Sequence, residues 1–304
     1  MMLISLQSVH YQAIRSDLQM SELTAASFFE HGRFMFRKKA CTPRAIKTDK
    51  LRFRQMFGTD PHICAIIWKK INPWQTIAAN ARPHHLFYAL IFMNQYATEA
   101  FNCSIAGCSE KTFRKWATLF MDKIAALKNE TIVWDNRFRN HQGTHCVITV
   151  DGTDCRILEQ SPFWPGWFSH KFKGPGVWYE IGVSIHGGDI VWVNGPFPCG
   201  KWPDVKIFRN GLIHRLLYWE RVEADRGYGG MPDHVYTPVG DRSEHVRARH
   251  EAMNSRFKKW NILSHVFRHD LGPDLCNHRR AFDAIAVIMQ LEIENGRPLW
   301  QVEY

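Results

Sequence analysis

The sequence predicts an α/β protein: a mixed sheet flanked by helices, carried behind an N-terminal all-α region. Three observations predict it. From His145 onward the chain reads strand, strand, strand, helix, strand, strand, helix, helix, an order that suits a mixed sheet with helices on its faces. Between Asp60 and Leu127 apolar residues recur at helical spacing. At 134–143 the composition turns polar, with Asn136, Arg137, Arg139, Asn140 and His141. That shift marks a boundary, so the chain divides into a basic arm at 1–50, a helical region at 51–135 and a larger unit at 136–304.

Bulk composition narrows the class. At 304 residues and 45% hydrophobic, the chain can bury the core of one or two domains. Lys and Arg number 39 against 29 Asp and Glu, a formal net charge of +10. That balance suits a polyanionic partner, nucleic acid first, although a basic surface also serves solubility. None of the eight cysteines forms a C-x-x-C pair, so a zinc site is poorly supported. With no secretory leader at Met1, a reducing compartment is expected. The longest apolar run, Leu86 to Met93, is too short to span a bilayer, and no membrane is expected.

The first fifty residues read as an arm. Arg33, Arg37, Lys38, Lys39, Arg44, Lys47 and Lys50 carry its charge, with Arg52 and Arg54 beyond. Such a segment holds phosphates, acts as a nuclear address, or is a solvated tail. Asp60-Pro61 caps a helix containing Ile63, Ile66, Ile67 and Ile71. Pro83 opens the next, with Leu86, Leu90 and Met93 on one side. Thr98 to Trp116 then reads as a short helix, a turn at Gly107, a cap at Ser109 and a longer helix to about Leu127. This is helix-turn-helix logic. Phe113, Trp116, Phe120 and Ile124 take the core-facing period. Lys111, Arg114 and Lys115 lie on another face, where they meet DNA or simply solvent.

Cys146 to Val150 form a β-branched run that ends on Asp151, with Gly152 at once behind it. Asp-Gly is a common turn. A carboxylate closing a buried strand also needs a partner, and a divalent metal is one. Val177–Ser184 and Ile190–Asn194 are two strands joined by a turn at His186-Gly-Gly-Asp189. Trp202 to Tyr218 reads as a helix. A short strand from Val222 ends on a second carboxylate, Asp225, and His234 to Pro238 adds another. Ser243 to about Val266 is a helix carrying Glu251, and Ala281 to Ile293 is the last.

In that architecture Asp151 and Asp225 fall at neighbouring strand ends, and the Glu251 helix can cross them. Three carboxylates on a basic protein suggest Mg²⁺. Two such ions clamp the attacking and leaving oxygens of a phosphodiester. Arg247, Asn254, Ser255 and Lys258 lie near the Glu251 face, where the two cations are placed for phosphates. The plain alternative is an exposed helix with an Arg247–Glu251 pair. Asp154 points away from Asp151 in an extended strand and is a lesser candidate. His250 is expected to be structural.

Five segments carry a family resemblance: Asp151-Gly-Thr-Asp, Ser169-His-Lys-Phe-Lys-Gly-Pro-Gly, Gly200-Lys-Trp-Pro-Asp, Ala224-Asp-Arg-Gly-Tyr and Arg247-Ala-Arg-His-Glu-Ala-Met-Asn-Ser-Arg-Phe-Lys. In order and collinear from about His145 to about Ile293, they resemble the DDE endonuclease domain of PIF/Harbinger-type transposases and the nucleases derived from them. The resemblance implies an RNase H-like fold, Asp151, Asp225 and Glu251 as the catalytic, metal-binding triad, Mg²⁺ or Mn²⁺ as cofactor, and DNA as substrate in the nucleus. Lys171, Lys173, Arg247 and Lys258 would position phosphates. Arg247, Glu251 and Lys258 also fit a signature of related insertion-sequence enzymes, whose tyrosine would fall at Glu244. The family often works with a separate Myb-like DNA-binding protein, and a homo-oligomer stays open. The rival reading is a domesticated, non-catalytic DNA-binding protein derived from a transposase; an RNA-cutting enzyme of the same fold is a third.

Overall fold

A computed structural model describes residues 23–35, 43–237 and 241–302. Among the described residues the longer helices that come first are α1 (Ala25–Met35), α2 (Pro43–Phe57), α3 (Pro61–Ile71), α4 (Pro83–Gln95), α5 (Glu99–Ala106) and α6 (Glu110–Ala126), with one-turn helices at Pro73–Thr76 and Lys128–Thr131. The expected arm is thus corrected over 25–35 and 43–50, which are helical. Phe28 and Phe53 are fully buried, and Arg33, read as free charge, is buried against Asp49 at 3.0 Å. Lone basic residues did not reveal the aromatic face behind them. Arg37, Lys38 and Lys39 lie outside the described residues.

The turn signals of the helical region are realised. Asp60 precedes α3 in extended backbone with Pro61 at the first position. Its carboxylate pairs with Arg54 at 2.6 Å instead of capping the helix. Gly107 ends α5 at φ 66°, the left-handed conformation glycine tolerates. The Ser109 hydroxyl accepts from Thr112 N at 3.3 Å and starts α6. Phe113, Trp116, Phe120 and Ile124 are all buried.

The sheet has six strands among the described residues: β1 (Cys146–Arg156), β2 (Phe168–Ser169), β3 (Gly174–Ser184), β4 (Ile190–Pro198), β5 (Arg221–Glu223) and β6 (Val235–Tyr236). β3 runs antiparallel to β1 and β4; β5 is parallel to β1, and β6 to β5. β2 and β4 both pair with the far side of β3. The strand expected to stop at Asp151 instead continues to Arg156, paired residue for residue with β3. Gly152 is not a turn. A Cβ there would fall 1.7 Å from the Trp178 ring, so the missing side chain admits the indole across the ladder.

Helix α7 (Asp204–Asn210) covers one face of the sheet, burying Ile207 and Phe208 with Val150, Val222 and Tyr228. It is much shorter than the helix expected over 202–218, because Gly211 leaves helical backbone (φ −136°, ψ −90°). The other face meets α8 (Asp241–Lys258) and α9 (Cys276–Glu294). Tyr179 of β3 stacks on Phe282 at 3.7 Å, and Phe257 stacks on Phe282 at 5.0 Å. One core runs from Phe28 through α9 to Leu299, so the N-terminal helices and the sheet share α9 as a common wall. Arg54 and Thr59 both bond Glu292, at 2.8 and 2.7 Å, and Lys128 bonds Asp283 at 2.8 Å. No described helix is long and apolar enough to cross a membrane.

Candidate active site

Strand parity aims the first acid. Thr149 and Asp151 lie two apart on β1 and face α8. Thr149 Oγ1 is 2.8 Å from His250 Nδ1, and Asn254 Nδ2 donates to Asp151 Oδ2 at 2.8 Å. Asp151 Oδ1 accepts from Gly152 N at 2.7 Å. β5 lies beside β1 and delivers Asp225 just past its last residue, Glu223. There the chain turns, and Gly227 N donates to Asp225 Oδ1 at 2.8 Å. Helix α8 crosses in front. Thr149, Asp151, Glu223, Asp225, Arg247, His250 and Glu251 border one cleft of about 130 Å³.

The three acids therefore meet, although they are spread across a hundred residues of sequence. Burial pushes the Asp151 carboxyl up to about 6. The Gly152 N–H pulls it down, Asp225 and Glu251 raise it further, and Lys171 opposes them. Asp151, Asp225 and Glu251 each lack a Lys, Arg or His ion-pair partner among the described residues. The Arg247–Glu251 pair of the plain alternative is absent from those contacts, although both side chains border the cleft. The acids are gathered but not closed: no three His, Cys, Asp or Glu side chains among the described residues are arranged to hold an ion by themselves. Mg²⁺ takes only one or two carboxylates and completes its shell with waters and phosphate oxygens. The donor set fits such an ion: hard oxygens, with no ion-pairing cation among the described residues.

The expected phosphate contacts divide. Arg247 is exposed at the cleft wall. Lys171 and Lys173 are exposed in the turn before β3, Lys173 at φ 53°. Lys258 is a correction. Its ammonium turns inward, donating to the carbonyls of Asp154 and Leu263 and touching Cys155 Sγ, so it clamps β1 to the end of α8 instead of facing solvent. On α6, Lys111 and Lys115 are exposed, and the Lys115 ammonium lies 5.3 Å from the Trp116 ring centre. Arg114 is engaged by Glu99 at 2.5 and 2.8 Å.

Asp154 points away from Asp151 as expected and accepts from Ser169 Oγ at 2.7 Å. His250 has the expected structural bond, but it also borders the cleft beside Glu251. Positions 247, 250 and 251 stand at i, i+3 and i+4, one helix face, and that spacing was the signal for it. Glu223 was legible in the same way, two residues before Asp225 on a strand. No protein-family model, curated protein or solved structure matches the chain.

Proposed function

We propose that the chain is a divalent-metal-dependent DNA endonuclease of the DDE type, with Asp151, Asp225 and Glu251 holding the ions. The observation that carries the reading is the convergence of three acids, from β1, from the residue two past β5 and from α8, on one cleft with no ion-pair partner among the described residues, in a protein of net charge +10. An antiparallel meander β1-β3-β4 with two strands added parallel on the β1 side supports an RNase H-like fold. When bound, the ions supply charge stabilisation for in-line attack of water on a phosphodiester. The chain's own part is placement. Asn254 and Gly152 fix the Asp151 carboxylate, the Gly227 N–H fixes Asp225, and Arg247 offers a guanidinium to a phosphate at the cleft wall.

Glu251→Gln is expected to reduce Mg²⁺-dependent nicking of plasmid DNA to background while DNA affinity stays within twofold. Undiminished nicking by that variant removes Glu251 from the chemistry. One observation favours a second reading: the lack of a ready three-ligand cage among the described residues suits a DNA-binding descendant that no longer cuts. Wild-type protein that binds DNA but leaves plasmid intact with both Mg²⁺ and Mn²⁺ establishes that reading.

A further inference from the structure

The segment between β1 and β3 leaves large rings in water. Of the thirteen residues from Ser161 to Lys173, five are Phe or Trp and none is acidic. Phe163 and Trp164 stay 46% and 42% exposed. They are held there by the backbone around them. Trp167 N donates to Trp164 O at 3.0 Å, and Gly200 N, just past β4, donates to Gly166 O at 2.9 Å. A Cβ on Gly166 would fall 2.4 Å from the Trp164 ring, so the glycine lets the indole lie against the loop's own backbone. The Trp167 ring meets it edge-on at 5.8 Å.

Cations stand beside the rings. Lys201 Nζ lies 5.5 Å from the Trp164 ring centre, Arg156 Cζ 4.8 Å from that of Phe172 and Lys206 Nζ 4.5 Å from that of Trp202. None of the three forms an ion pair among the described residues. Lys171 and Lys173 add two exposed charges, and Glu159 is the only acid across 156–173. Rings interleaved with free cations match a ligand that alternates flat apolar faces with negative charge, and a nucleic-acid strand is that ligand. A paired base shows only its edges in the grooves. Its face is open to a ring only once it is unstacked.

We propose that Phe163 and Trp164, flanked by Lys201, form a stacking platform for the unpaired bases of a single DNA strand. The platform rests on the DNA reading above and extends it to the form of the substrate. The same segment reaches toward the cleft. Ser169 Oγ is bonded at 2.7 Å to Asp154, three residues beyond Asp151 on β1, and Lys171 acts on the Asp151 carboxyl. A strand lying on the rings thus runs on toward the acids, and DNA with unpaired bases beside the cut is the preferred substrate.

Fluorescence anisotropy of the full-length protein with labelled oligo-dT and with a duplex of equal length, both in EDTA so that no cutting intervenes, tests it. Trp164→Ala should weaken oligo-dT binding about tenfold and leave duplex binding within about twofold. Trp164→Phe, which keeps a ring, should restore most of the loss. Gly166→Ala should act like Trp164→Ala by pushing the indole off its seat. Wild-type protein should also crosslink at Phe163 or Trp164 when iododeoxyuridine replaces thymidine and the complex is irradiated, a readout that needs no variant to fold. Unchanged oligo-dT affinity in Trp164→Ala overturns the platform, and so do crosslinks confined to residues outside 161–173. Equal losses on oligo-dT and duplex overturn it as well. A selective loss on oligo-dT, in a protein that nicks no plasmid, leaves the platform standing and removes only the nuclease reading. A protein that nicks plasmid and whose Trp164→Ala variant binds oligo-dT as wild type keeps the nuclease and loses the platform.

Discussion

Acids in this protein live in two kinds of place. Away from the cleft, four buried acids are each tied to a cation of the chain: Asp49 to Arg33 at 3.0 Å, Glu220 to Arg137 at 3.1 Å, Asp189 to Arg139 at 3.1 Å and Glu292 to Arg54 at 2.8 Å. At the end of the sheet half-buried Asp151 and Asp204 and exposed Asp225 and Glu251 make no ion pair among the described residues. Arginines and lysines are abundant, so the difference is not a shortage of partners. Like charges held together raise one another's proton affinity, and Asp151 and Asp204 are both pushed up to about 6, by burial first and by their neighbours next. The first group holds the fold together. In the second group Asp151 and Asp204 are held half-buried and unpaired among the described residues, at a cost to the fold.

Breaking the first kind should have the largest effect on stability. Arg137 and Glu220 are both almost wholly buried, with side chains 4% and 0% exposed. Arg137→Met strands the Glu220 charge, whose remaining contact is with the Leu217 N–H. Removing one partner of a buried pair costs about 3–5 kcal/mol, and urea unfolding should show a loss of that size. A change near zero would mean that the pair is not what separates the two groups.

The second kind should respond in the opposite sense, and more weakly. An unfolded Asp titrates near 3.8, whereas folded Asp151 holds its proton to about 6. The folded state therefore binds more protons between those values, and stability contributed by this group falls as pH rises through the window. Asp151→Asn removes that fall. The variant keeps the bond from Gly152, and Asn254 can turn its amide, because its Oδ1 is otherwise without a partner. In EDTA the variant should gain about 1–3 kcal/mol on wild type between pH 4 and pH 7, read as the pH dependence of urea midpoints. The same titration predicts that wild-type Mn²⁺ affinity rises as pH climbs through 6. Parallel stability curves for the two proteins would contradict the idea that the unpaired acid costs the fold anything.

What the sequence disclosed follows the same division. Asp151, Asp225 and Glu251 were legible because each sits on a strongly patterned element: a β-branched strand, a short strand with a following glycine, and a long helix. The helix-turn-helix boundaries were legible because Gly107 and Ser109 are local signals. The full length of β1 was not, because Gly152 answers to Trp178, a residue on another strand. Lys258 could not be placed from helical spacing alone, since it ends α8 where β1 passes beneath and the carbonyls of Asp154 and Leu263 draw it in. Arg33 and Arg54 read as free charge because their partners, Asp49 and Glu292, come from elsewhere in the chain. Asp204 stood in a recognised segment, but its nearness to Asp225 depends on the packing of α7 against β5.

The smallest expected effect concerns cations, and it applies the same contrast to α6. Arg114 is already neutralised by Glu99, whose carboxylate its guanidinium holds below the usual range. Lys111 is exposed and makes no ion pair among the described residues. If this face meets phosphates, only the uncommitted charge releases counterions fully on binding. Lys111→Ala should then lower the slope of log affinity against log salt by about 1, whereas Arg114→Ala should change it by less, because Glu99 has to be given up before Arg114 can engage a phosphate. Measured on one duplex across a range of salt, equal slopes for wild type and Lys111→Ala would take this helix out of the DNA interface. A larger drop for Arg114→Ala than for Lys111→Ala would show that the Glu99 pair opens on binding, so that a committed cation and a free one are distinguished only in the unbound protein.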